Sequence, residues 1–223
     1  MGVILLHGLG QQSADYHRFG RFLNRHGIEV WGIDHIGHGL SEGEIDGLPS
    51  VDELAASASQ LISIAHAADT TIPLAVVGHS LGAGTALIAM QSNPSAAQHI
   101  SSVALTGTPE RAHTLAVPAP EVPTLVLHGQ DDRRAPIGPI RSWCAGKPTV
   151  TLREFADAGH DLLHEPVHHA VSTAIVEFVL ARLSTNLGPA SHHEAPNPAS
   201  SALHRASAGR RSALRPRLPL PVG

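Results

Sequence analysis

A serine hydroxyl is a poor nucleophile at neutral pH unless a base stands beside it. Gly78-His79-Ser80-Leu81-Gly82 presents a serine in the setting where such chemistry is found. The Gly-x-Ser-x-Gly pattern lies between an apolar run, Leu74-Ala75-Val76-Val77, and a helical pattern from Ala83 to about Met90. A strand that turns straight into a helix at a serine forces that residue into a strained backbone conformation. The residues two positions to either side must then lack a Cβ, and they are Gly78 and Gly82. The same turn places Ser80 at a helix N-terminus, where free N–H groups favour developing negative charge. The chain holds 21 glycines, so the pattern alone also fits chance; its place between strand and helix argues for a nucleophile.

Such a serine needs a base, an acid to orient the base, and two N–H donors for the oxyanion. Among 17 histidines, position selects His160, on a loop after the last predicted strand and next to Gly159. Asp131 and Asp132, at the end of another predicted strand, both qualify as the acid; a turn residue or a helix N-cap ahead of Pro136 is the competing reading of either. One oxyanion donor is expected from the Leu81 amide, directly after the nucleophile. The other is expected from the loop after the first strand, at Leu9, where Gly8 and Gly10 permit close approach. A plain tight turn is the other reading of that loop.

The elements that must position these groups follow from periodicity. Strands are predicted at Val3–Leu6, Ile28–Ile33, Pro73–Val77, Ile100–Thr106, Thr124–His128 and Thr149–Phe155. Between them, helical spacing appears over Tyr16–His26, from a capping box at Ser50-Val51-Asp52-Glu53 to near Asp69, and over Ile137–Cys144. A final helix is expected to begin near Pro166 and to carry Val167, Val171, Ile175, Phe178, Val179 and Leu183. Strands alternating with helices, in continuous apolar runs, mean an α/β fold with a parallel sheet covered on both faces. The three candidates Ser80, Asp132 and His160 each follow a strand, where ligands bind in open α/β sheets. Their order, Ser…Asp…His, is that of the α/β-hydrolases.

Composition sets outer bounds. At 223 residues the chain suits one domain, predicted over 1–185. Residues 186–223 turn to Pro, Ser, Ala, His and Arg and are expected to be a disordered tail. The arginines there could meet an anionic surface, but a solvated tail is the plainer reading. A net charge of −4 argues against a nucleic-acid binder. Apolar runs are too short for membrane insertion, and Met1–Leu6 lacks the features of a signal peptide. The single Cys144 fits a reducing, cytoplasmic setting.

On these motifs the chain resembles the monoacylglycerol lipase and lysophospholipase-like branch of the α/β-hydrolases, grouped with the serine aminopeptidase-type hydrolases. The matching pieces are His7-Gly8-Leu9-Gly10, Asp34-x-x-Gly37-His38-Gly39-x-Ser41-x-Gly43, Gly78-His79-Ser80-Leu81-Gly82, His128-Gly129-x-x-Asp132, and Gly159-His160 followed by His164-Glu165-Pro166. The resemblance covers roughly Val3 to Leu183 and implies an α/β-hydrolase fold with a mostly parallel sheet of about six strands. It implies Ser80 as nucleophile, His160 as base, Asp132 rather than Asp131 as acid, and Leu9 and Leu81 as oxyanion donors. It makes the Asp34–Gly43 loop a structural floor of the site.

Three departures from the family stand out. The chain starts on the His-Gly strand, where members usually have earlier strands, so Ile28–Ile33 is expected at a bare, apolar sheet edge able to pair with a second copy. The cap between the Leu105 and Leu125 strands shrinks to Pro109–Pro123, which implies an open site for short or accessible acyl groups. The usual Arg-Gly-His-Gly reads Ile36-Gly37-His38-Gly39.

The resulting expectation is a serine hydrolase that cleaves carboxylic esters (monoacylglycerol, lysophospholipid or short-chain) through an acyl-enzyme. It needs no metal and no organic cofactor. Its rivals are a catalytically weak hydrolase homologue serving as a binding module, and a zinc site on His160-Asp161-Leu162-Leu163-His164. Glu165-Pro166 breaks the helix the zinc site would need, which leaves His164, His168 and His169 as exposed helix-end residues. Epoxide hydrolase and dehalogenase chemistry would need an aspartate where Ser80 stands.

Overall fold

The structure, a computed structural model, describes residues 1–44, 49–109 and 117–186. Residues 110–116 of the Pro109–Pro123 connection and the tail from 187 onward lie outside the described residues. Six parallel strands form one sheet: β1 (Gly2–Leu6), β2 (Glu29–Ile33), β3 (Leu74–His79), β4 (Ile100–Thr106), β5 (Thr124–Gly129) and β6 (Val150–Phe155). Their spatial order is β2-β1-β3-β4-β5-β6. The chain first steps outward from β1 to β2, then returns across β1 and proceeds the other way from β3. The reversal point is therefore between β1 and β3, where their carboxyl ends diverge and leave a crevice.

Alternation along the strands splits the core in two. Ile4, Leu6, Val76, Val103, Leu105 and Val126 face helices α2 (Val51–Ala68), α3 (Leu81–Ser92) and α5 (Ile137–Cys144). Val3, Leu5, Ala75, Val77, Ala104 and Leu127 face α1 (His17–Arg25) and α6 (His168–Asn186). Both faces are buried, so β1, β3 and β5 are built around apolar stretches and are buried throughout, with Thr124, His79 and His128 at the strand ends. Ala55, Ala58, Ala83 and Ala86 line the first core, and such small side chains let helices lie close to the sheet in a chain of 3% aromatics.

Local chemistry sets the helix ends. The Ser50 hydroxyl accepts the Glu53 amide while the Glu53 carboxylate accepts the Ser50 amide, the predicted capping box, worth about 1 kcal/mol. A short helix unforeseen in the sequence, α4 (Pro94–Ala97), is started by Asn93, whose Oδ1 accepts the Ala96 amide, and by Pro94 in the first turn. The last helix starts at His168, two residues beyond the expected Pro166. Residues 161–165 are tied into a turn by His164 and Glu165 amides donating to Asp161 O, and this delays the helix.

The predicted edge strand is at the edge, but it is less apolar than expected. Glu29 and Gly32 are exposed, while Val30, Trp31 and Ile33 are half-covered by the cores on the two faces. What it leaves open is a backbone edge rather than an apolar surface.

Candidate active site

Ser80 directly follows β3 and caps α3 with φ 51° and ψ −112°, one of two non-glycine residues at positive φ among the described residues. The strain is held from both sides. The Ser80 amide donates to Thr106 O at 2.9 Å, and the Ala83 and Gly84 amides donate to Ser80 O. A Cβ on Gly78 would lie 2.5 Å from Gly82 O, and one on Gly82 would press into the Leu6 carbonyl of β1. Both glycines are thus required by backbone contact, as the sequence pattern implied.

The hydroxyl of Ser80 lies 2.9 Å from His160 Nε2, and His160 Nδ1 lies 2.7 Å from Asp132 Oδ2. Asp132 sits after β5 with its carboxylate fully buried. Its Oδ1 accepts the Arg134 and Ala135 amides, each at 2.9 Å, and its Oδ2 also faces His128 Nε2 at 3.3 Å. Burial pushes this carboxyl up. Hydrogen bonds from His128, His160 and the Ala135 amide outweigh burial and hold it well below the usual carboxylate range. An ionised Asp132 makes His160 Nδ1 the protonated nitrogen and leaves the Nε2 lone pair facing Ser80. Asp131 takes the other role weighed for it: it is exposed, and its amide donates to Ala158 O in the turn.

His160 is held by a residue the sequence reading did not single out. The Glu165 carboxylate accepts the Gly159 amide at 2.6 Å and the Asp161 amide at 2.9 Å, one on each side of His160. A Cβ on Gly159 would come within 2.9 Å of that carboxylate. In the sequence Glu165 appears as part of the His164-Glu165-Pro166 motif and as a helix breaker; a carboxylate a few residues after the base is the signal for this brace.

Gln11 and Asp161 were also missed. Gln11 Oε1 accepts the Gly8 amide at 2.9 Å and the Tyr16 hydroxyl at 2.6 Å, and its Nε2 donates to Asp161 Oδ2 at 3.1 Å. This side chain ties the loop after β1 to the loop bearing His160. Leu9 sits at the tip of that loop, 43% exposed, between Gly8 and Gly10, the latter at φ 75°. Leu81 is the first residue of α3, where backbone N–H groups have no intrahelical acceptor. His164 is no helix-end residue: its Nδ1 bonds Asp161 Oδ1 at 2.8 Å and its ring meets Tyr16 edge-on. His160 and His164 therefore turn to different carboxylates from within a turn. Among the described residues no group of three or more His, Cys, Asp or Glu side chains is placed to hold a metal.

The floor is built of buried imidazoles. His7 Nδ1 donates to Gly8 O at 2.8 Å and its Nε2 accepts the His35 amide at 2.9 Å, with the His7 and His35 rings 4.4 Å apart. Burial lowers His7 and pushes His35 down to about 3, so both are neutral. Asp34 accepts the Ser13 and Leu40 amides and so closes the Gly-rich loop. This arrangement matches a structural part for residues 34–43. His79 is likewise buried and lowered to about 4, by burial above all, with Thr106 Oγ1 and Asp161 as its partners.

The family described as serine aminopeptidase, S33 (Hydrolase_4) matches residues 2–116, which is more than half of the 223, and the chain belongs to that family. It is 31% identical over 111 residues to a monoacylglycerol lipase of Mycolicibacterium smegmatis, covering 50% of this chain and 39% of that protein. The chain spans less than half the length of the curated monoacylglycerol and monoglyceride lipases it matches. Among solved structures, a monoacylglycerol lipase from Paleococcus ferrophilus is similar with a TM-score of 0.68 at 20% identity, over 81% of this chain and 94% of that one. An α/β serine hydrolase without a lid from Xanthomonas campestris is similar with a TM-score of 0.64 at 19% identity, over 84% and 83% of the two chains. The fold is that of the α/β-hydrolases. Among the described residues no helix is long and apolar enough to cross a membrane.

Proposed function

We propose that this chain is a serine hydrolase acting on carboxylic esters. The observation that carries the reading is the continuous line Ser80 Oγ, His160 Nε2, His160 Nδ1, Asp132 Oδ2, with spacings of 2.9 and 2.7 Å. His160 takes the Ser80 proton as Oγ attacks the ester carbonyl. The oxyanion is received by the Leu9 and Leu81 amides. Collapse of the tetrahedral intermediate expels the alcohol, which takes the proton from His160 and leaves an acyl-Ser80. Water, deprotonated by His160, then releases the carboxylic acid and restores the hydroxyl. Asp132 stays ionised throughout and stabilises the imidazolium.

For substrate we propose monoacylglycerols, lysophospholipids or short-chain esters, the class suggested by the lipases this chain resembles. Only residues 107–123 join β4 to β5, and Ser80 is half-exposed. Both features support an open site favouring short or accessible acyl groups. We further propose that the backbone edge of β2 allows self-association. The unpaired Cys144, whose thiol burial pushes up to about 11, supports a cytoplasmic setting.

The test is fluorophosphonate labelling with the modified residue located by mass spectrometry. Label should fall on Ser80, vanish in Ser80→Ala and drop sharply in His160→Ala. An ester series and an aminoacyl anilide then separate esterase from aminopeptidase activity. A folded protein that takes no label would overturn the hydrolase reading and favour a binding module.

A further inference from the structure

On the face of the sheet where α1 packs beside α6, a half-open cavity of about 420 Å³ is lined by cations. Arg18, Arg21 and Arg25 recur at spacings of three and four, which puts them on one side of α1, and all three are exposed. Helix α1 reads HRFGRFLNR and carries no carboxylate. Like charges at this spacing repel by a few tenths of a kcal/mol per pair. Among the described residues no ion pair relieves these three arginines. Arg18 gives one N–H to Leu163 O at 3.1 Å and keeps its other donors.

The facing wall adds to the positive field. His168 and His169 open the 19-residue helix α6, whose first N–H groups carry the positive end of its dipole. Burial, then Arg18 and His169, lowers His168. The carboxylates on the adjoining segments are already engaged: Asp15 accepts the Gln12 amide, and Asp161 binds His164 and Gln11. The walls are not only polar. Phe19, Phe22 and Leu163 line the same cavity. This concentration of unneutralised charge stands out in a chain of net charge −4.

We propose that this groove binds a phosphate group carrying an apolar stem. The arginine forks receive the phosphate, and the half-buried Phe22 covers the stem. The chemistry is shared by a soluble phosphate ester and by the headgroup of an anionic lipid. The site lies apart from Ser80 and does not depend on the catalytic reading. It does touch that reading at one point, because Arg18 also holds the carbonyl of Leu163, three residues from His160.

The experiment compares wild type, Ser80→Ala, the double variant Arg21→Gln/Arg25→Gln, and Arg21→Lys/Arg25→Lys. Binding is measured to glycerol phosphate in solution, and by co-sedimentation to vesicles of phosphatidylcholine with and without phosphatidic acid. Wild type and Ser80→Ala should bind alike, weaken as salt is raised, and lose roughly tenfold or more in the Gln variant, with the Lys variant in between. Binding to doped vesicles alone assigns the headgroup of a lipid surface; binding to glycerol phosphate assigns a soluble ester. Wild type that binds neither probe, or a Gln variant that binds as wild type does, overturns the proposal. If the Gln variant fails to fold, amide shift mapping of wild type with glycerol phosphate decides instead. Shifts must centre on α1 and the start of α6, and shifts centred elsewhere overturn the site.

Discussion

Two histidine–carboxylate pairs stand side by side in this molecule, and adjacent residues supply them. His160 pairs with Asp132 at 2.7 Å, and Asp161 pairs with His164 at 2.8 Å. In the first pair the carboxylate is wholly buried and the imidazole 13% exposed; in the second the two side chains are 37% and 30% exposed. The bond lengths scarcely differ, so distance does not assign function. Burial and what lies beyond the imidazole do. His160 hands its second nitrogen to Ser80, whereas His164 hands its second nitrogen to a backbone carbonyl, Asp15 O. A low-dielectric setting makes the first pair strong and directional; water screens the second.

The largest test of that contrast is Asp132→Asn against Asp161→Asn. Loss of the Asp132 charge should cut kcat by about 10⁴-fold with the fold intact by circular dichroism, because an amide favours the wrong tautomer of His160. Asp161→Asn should cost only a few-fold, since Asp161 itself and its partner His164 are partly solvated. Equal losses in an ester assay would erase the distinction drawn between the pairs.

Glu165→Ala should fall between these. It frees the amides on both sides of His160, so the imidazole loses its aim; a misplacement of this kind costs up to about 10²-fold in kcat while KM stays near wild type. Glu165→Gln, which keeps one carbonyl acceptor, should restore part of the rate. A change confined to KM would assign Glu165 to substrate binding instead. Gln11→Ala, which cuts the tie between the Leu9 loop and Asp161, should lower kcat by about tenfold through a looser oxyanion site.

The smallest effect is on stability and depends on pH. Burial pushes Asp161 up, but the hydrogen bond from His164 and the nearby His79 outweigh it and hold Asp161 low, and Asp161 in turn raises His164. The Asp161 contribution is present above its ordinary 3.8 and vanishes as pH falls through its lower folded value. The His164 contribution is present below its ordinary 6.5 and vanishes as pH rises through its higher folded value. His164→Ala should therefore lower Tm at about pH 5 and have little effect at about pH 9. A Tm difference that grew with pH would show that packing on Tyr16, and not charge, is what His164 supplies.

Much of the site was legible from local pattern. Gly78 and Gly82 frame Ser80 because backbone atoms crowd both positions: the elbow's own backbone at Gly78, and the Leu6 carbonyl of β1 at Gly82. The inner strands β1, β3 and β5 could be read from their apolar cores, because both faces there are buried, whereas the edge strand β6 alternates exposed and half-buried positions, with Arg153 and Glu154 among them. His160 could be chosen among 17 histidines by its place after the last strand. The edge strand β2 was legible in position but not in character, since coverage by the helices on either face decides how much of Val30, Trp31 and Ile33 is exposed.

What only the tertiary structure decided are contacts between distant segments. Asp131 and Asp132 are alike as residues. Turn geometry aims Asp132 inward, with the Arg134 and Ala135 amides on one oxygen and His160 on the other, and leaves Asp131 in water. Gln11 meets Asp161 across 150 positions, and Arg18 meets Leu163 across 145. No periodicity records such pairs, because periodicity reports the face a side chain takes and not the partner waiting there. The sequence by itself determined the inner strands, the strained serine and the order Ser80, Asp132, His160 at successive strand ends, all matters of backbone sterics and apolar spacing along the chain. Which carboxylate is buried, which histidine it serves and where the arginines of α1 gather were settled by the packing of segments far apart in the chain.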